Sequence, residues 1–171
     1  MTGTHTEHRP RSLRHLRSLR STALTGPTAF RLLMNCYPPL LFSGIRVRAV
    51  APDWTAVHVT HHVRPWNRNV NGTAFGGTLF AMTDPFYAVM AAGRLGPGYR
   101  IWNARAAIEF VRPGHGRLEA AMHLPATTAT TIRAEADATG RSVTTHTTEI
   151  RAADGELVAR CTQDLHVRKI G

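Results

Sequence analysis

Between Gly76 and Ala92 the chain runs for seventeen residues with a single charged side chain, Asp84. At helical spacing Leu79, Met82, Phe86, Val89 and Met90 share one face, and Phe80, Tyr87 and Ala91 share another. A helix that is apolar nearly all round is buried on every side, so the rest of the chain has to wrap it. A glycine pair, Gly76-Gly77, opens this segment, and Asp84 sits about two turns in.

The flanking sequence supplies the wrapping. Ile45, Val47 and Ala49 alternate with Arg46 and Arg48, and Val57, Val59 and Val63 alternate with His58, Thr60 and His62, with an Ala51-Pro52-Asp53 turn making a hairpin. After Gly93–Arg100 come further alternating strands. Trp102, Ala104, Ala106, Ile108 and Phe110 are expected on one face, with Asn103, Arg105 and Glu109 on the other. Leu118, Ala120, Met122 and Leu124 follow the Pro113-Gly114 turn. The Thr-rich strand Ser142–Arg151 pairs with the last, lined by Leu157, Ala159, Cys161, Leu165 and Val167. Two short helices are also expected, from Pro27 to Asn35 and over 128–139, the second stopped by Gly140. Long strands with one polar face form an antiparallel sheet covered on one side. The class is α+β: a curved sheet of five to six strands around a long central helix, the hotdog arrangement.

Composition narrows the function. At 171 residues the chain is one domain with a sizeable core, and it has no apolar run near the ~20 residues needed to cross a bilayer. Cys36 and Cys161 lack metal-ligand spacing and read as two buried, reduced thiols, which fits a cytoplasmic protein. The net charge of +10 is scattered beyond residue 26, and twenty of the 21 basic residues are arginine. Attraction of a phosphorylated small molecule therefore fits better than nucleic-acid binding. Residues 1–26 carry five arginines against Glu7 and repeat Leu and Arg every three positions. They read as a flexible basic arm ahead of a 27–171 domain, in preference to a transit peptide or a membrane-surface helix. His58, His61 and His62 do not make a metal site: the first and last lie about 13 Å apart along a strand, and His61 faces the other way.

The chemistry centres on Asp84. Its helical neighbours Phe80, Ala81, Tyr87 and Ala88 cannot neutralise a carboxylate, and stripping an ionised acid of water costs several kcal/mol. Pro85 removes a helical hydrogen bond, kinks the segment and biases Asp84 away from helical geometry. Rule-breaking at a lone charge points to function as base or nucleophile. The residues alone also allow Asp84 to pair with a buried arginine, or to cap a second helix, because Thr83-Asp84-Pro85 reads as a helix start. The loop Asn69–Gly77 places glycines at the helix opening, where unpaired N–H groups can hold an oxyanion; they can equally be plain turn residues.

Asn69, Gly72, Thr73, Gly76, Gly77 and Asp84 fall in register with a motif of the hotdog acyl-CoA thioesterases of the PaaI type. Ile108–Pro113 resembles the F-x-R-P strand end of the same group. The run Met82-Thr83-Asp84-Pro85-Phe86-Tyr87 resembles a hotdog subgroup known as a domain of unknown function. The resemblance, over about Pro27 to Val167, implies hydrolysis of an acyl thioester on coenzyme A or a carrier protein, without cofactor or metal. It implies Asp84 as base or nucleophile, the Gly76 N–H backed by Gly77 as oxyanion donor, and Asn69 positioning the water or the carbonyl. The site would form between two subunits of a homodimer, often paired again into a tetramer. Thr73, Phe75, Phe80, Tyr87 and Arg112 are candidate substrate contacts, Arg112 toward coenzyme A phosphates. Two departures stand out: Phe75 replaces the usual histidine, and Pro85 is absent from better-studied thioesterases. The same fold also hosts non-catalytic acyl-CoA binders and dehydratases. A histidine beside Asp84, His146 or His166, would favour the dehydratase.

Overall fold

The structure, a computed structural model, describes residues 26–170, so all but the last residue of the expected basic arm lies outside the described residues. Helix α1 (Pro27–Cys36) starts with proline at its first turn and ends where Tyr37 turns extended; the short α2 (Pro38–Phe42) follows. Strands β1 (Ile45–Val50) and β2 (Ala56–His62) form the expected hairpin, its turn held by Trp54 at φ 62°. A loop leads to α3 (Gly76–Ala81) and α4 (Phe86–Leu95). Then come β3 (Tyr99–Phe110), β4 (Arg117–His123), α5 (Ala126–Thr139), β5 (Arg141–Ala152) and β6 (Leu157–Lys169). Gly140 ends α5 in the left-handed conformation, φ 83°, as its sequence position predicts.

The six strands form one antiparallel sheet in the order β1-β2-β4-β5-β6-β3, and the concave side holds α4 with Phe86, Tyr87, Met90, Ala91 and Leu95 buried. This is the hotdog arrangement the apolar segment demands. The edge strand β1 is guarded by α1: Asn35 donates to the Val47 carbonyl and accepts from the Val47 N–H, standing in for a seventh strand. The other edge, β3, carries no such cover. Strands β4 and β5 share only three residue pairs, Leu118–Ala152 to Ala120–Ile150, and then part.

Three expectations are corrected. The kink expected at Pro85 is a full break of the helix over Met82–Pro85, because Pro85 cannot donate and both Thr83 and Asp84 close on the Phe80 carbonyl. The faces of β3 are not those of strict alternation. A bulge between Asn103 and Arg105 leaves Ala104 unpaired, so Ile101 and Asn103 join Ala106 and Ile108 on the inner face while Trp102 turns outward beside His166. Of the two thiols only Cys161 is buried; Cys36 ends α1 on the surface.

Candidate active site at the break in the central helix

The break presents Asp84. Its carboxylate is exposed in the single chain, with neither a buried arginine against it nor a capping bond to α4. What holds it comes from the sheet. The Asn103 amide donates to the Asp84 main-chain carbonyl at 2.5 Å and to the carboxylate at 3.3 Å, and the Gln163 amide donates to the same carbonyl at 3.4 Å. A continuous helix would have used that carbonyl itself; the break frees it, and β3 and β6 take it up. Behind the turn, burial pushes the Cys161 thiol up, with the Thr83 hydroxyl beside it.

Strict period-two reading places Asn103 on the outer face, so sequence reasoning missed it. The signal that could have found it is the small run Ala104-Arg105-Ala106-Ala107, where an apolar alternation slips by one.

The second half of the site lies at the start of α3. Asn69, Thr73, Gly76, Phe110 and Arg112 line one cavity of about 410 Å³. Among the described residues, no main-chain acceptor meets the Gly76 or Gly77 N–H, the orphan donors of a helix start. A Cβ at Gly76 would stand 2.9 Å from the tip of the Phe110 ring, which lies over this helix start. Asn69 is committed to its own loop. It accepts from the Asn71 and Thr73 N–H groups and donates to the Thr73 hydroxyl and the Ala74 carbonyl, which fixes the approach to Gly76. Arg112 lies in ion pairs with Asp154 and Glu156 of the β5–β6 turn.

Asp84 does not line this cavity, so one chain presents the two halves of the motif apart. Phe75 is 56% exposed and covers Gly77, Phe80 is half-buried, and neither lines the cavity. Tyr87 belongs to the core. Its hydroxyl donates to the Thr147 carbonyl and accepts from Thr148, and burial pushes the phenol up. His146 stacks on the Tyr87 ring at 4.5 Å, and His166 lies on the outer face against Trp102; neither touches Asp84. Among the described residues there is no cluster of potential metal ligands, and no helix is long and apolar enough to cross a membrane.

A buried helical segment wrapped by one antiparallel sheet of six strands defines the hotdog class. The solved structures bear this out. A protein from Pseudomonas aeruginosa described as a probable thioesterase matches with a TM-score of 0.77 at 20% identity, over 84% of this chain and 97% of that one. A thioesterase from Haemophilus influenzae matches at 0.63 and 16% identity, over 83% and 90%. The PaaI protein of the phenylacetic acid degradation operon of E. coli matches at 0.54 and 19% identity, over 78% and 85%. The chain itself belongs to the family described as a domain of unknown function (DUF4442), whose model matches residues 26–167. Among curated proteins, none matches its sequence.

Proposed function

We propose that this protein hydrolyses an acyl thioester, carried on coenzyme A or a carrier protein, with Asp84 as base or nucleophile and the Gly76 N–H as oxyanion donor. The observation that carries this reading is the placement of Asp84: a solvent-facing carboxylate at a helix break, its backbone clamped by two sheet amides. A lone acid so oriented can deprotonate water or attack a carbonyl. An N–H with no main-chain acceptor among the described residues, at the first turn of the same segment, suits the negative charge that develops on the thioester oxygen.

The two halves meet if two copies associate. The free edge of β3, with Phe110 and Val111 exposed beside it, supports pairing of β3 with its counterpart in a second chain. Asp84 of one copy then faces the Asn69–Gly76 loop of the other. Leu79, Phe110 and Val111 in the cavity lining favour an apolar acyl group.

The test is thiol release from a panel of short, medium, long and aromatic acyl-CoAs by wild type and Asp84→Asn. Turnover is expected in wild type and should fall at least about a hundredfold in the variant with its melting unchanged. Equal turnover in both would remove Asp84 from the chemistry. Binding of acyl-CoA with no turnover in either would make the protein a binder instead.

A further inference from the structure

A different part of the surface carries a second inference, independent of the thioesterase reading. Helix α1 faces β1 with Phe30 buried and Asn35 hydrogen-bonded to the strand, so its opposite side is turned to solvent. That side is not polar. Leu32 and Leu33 are about half exposed, Tyr37 follows, and Phe42 at the end of α2 is 76% exposed. The same region recruits another aromatic from a separate segment. Asn67 donates to the Ser43 and His62 carbonyls, which ties the loop after β2 to the end of α2 and sets Trp66, 74% exposed, one residue from that tie as Phe42 is on the other side. Exposed large apolar side chains on consecutive helices and on a loop tied to them mark an interaction surface.

Charge identifies what they meet. Arg64 and Arg68 flank Trp66, both exposed and neither in an ion pair among the described residues. Residues 1–72 hold ten arginines against Glu7 and Asp53, a net +8, whereas the following 99 residues hold eleven basic side chains against nine acids. Residues 27–72, the segment that exposes the aromatics, hold five of those arginines against Asp53, a net +4 in 46 residues against +2 in the 99 that follow. Two such surfaces repel one another, which disfavours pairing of copies here. A layer of anionic headgroups over hydrocarbon satisfies both features, taking the arginines at the phosphates and the Tyr, Trp and Phe rings at the boundary.

We infer that the α1–α2 face and the Trp66 loop form a docking surface for an anionic lipid bilayer, holding the protein on the membrane without spanning it.

The full chain is sedimented with phosphatidylcholine vesicles, with and without phosphatidylglycerol, at low and high salt. Binding to the anionic vesicles, weakened by salt and absent from neutral ones, is expected. Arg64→Ala with Arg68→Ala should weaken it about thirtyfold, and Phe42→Ser with Trp66→Ser at least about tenfold, circular dichroism confirming the fold of each. No binding by wild type, or equal binding to neutral vesicles, overturns the inference. So does undiminished binding by both variants, which would assign the attraction to the arginines before residue 26. A wild-type self-association that the Phe42/Trp66 variant abolishes, without vesicle binding, overturns it in favour of an interface between copies.

Discussion

Asp84 owes its geometry to residues far away in sequence. Its main-chain carbonyl has left the helix, and Asn103 is the closest group that replaces the lost bond. Asn103→Ala should therefore lower kcat about tenfold or more while KM stays near wild type, because the carboxylate is misoriented without loss of a substrate contact; steady-state kinetics separates the two. Gly76→Pro at the first position of α3 removes the N–H itself, so thiol release should fall about a hundredfold or more. The lone acid, the glycines and the Asn69 loop were legible as a motif because each breaks a local rule. Asn103 and Gln163 were not, since nothing local to either announces a carbonyl waiting 19 and 79 residues earlier.

At the scale of elements, the sequence reads well wherever a period is unbroken. All six strands, the hairpin and the Gly140 stop follow from alternation and turn chemistry. It misleads at two irregularities. Apolar periodicity carries on through Met82–Pro85 although the backbone does not, because burial is the same on either side of the break. In β3 a single unpaired residue reverses the assignment of Trp102 and Asn103. Removing Ala104 shortens β3 to match β6 and keeps Ile101, Asn103, Ala106 and Ile108 inward, so that deletion should melt close to the parent. Removing Ala107 forces either Arg105 inward or a second irregularity, and should melt far below it; thermal scans of the two deletions check this. In α4, Gly93 lies against the Trp54 indole so closely that a Cβ would sit 2.4 Å from it; Gly93→Ala should cost about 1–3 kcal/mol in denaturant unfolding.

At the scale of the whole molecule, protonation of two histidines among the described residues, the buried His61 and the half-buried His146, opposes folding. Desolvation of the buried His61 ring outweighs the main chain of Gly44 and Ser43 beside it and lowers its pKa from 6.5; His146 is lowered by desolvation too. The unfolded chain therefore binds more protons than the folded one once pH drops below 6.5, and stability falls from there toward the depressed folded values. Denaturation midpoints above and below that pH should show the loss, and His61→Leu should flatten part of the slope. Well above 6.5, where the unfolded rings have also lost their protons, both states are neutral and the dependence vanishes. The parting of β4 from β5 bears on how the molecule moves. Three residue pairs join one leaf, β1-β2-β4, to the other, β5-β6-β3, and a cavity of about 710 Å³ opens on the outer side where they separate. The sheet is thus stitched rather than woven at its middle. Amides that face this seam will exchange with deuterium ahead of those on β6, and the two leaves can flex apart about a short hinge while each stays intact.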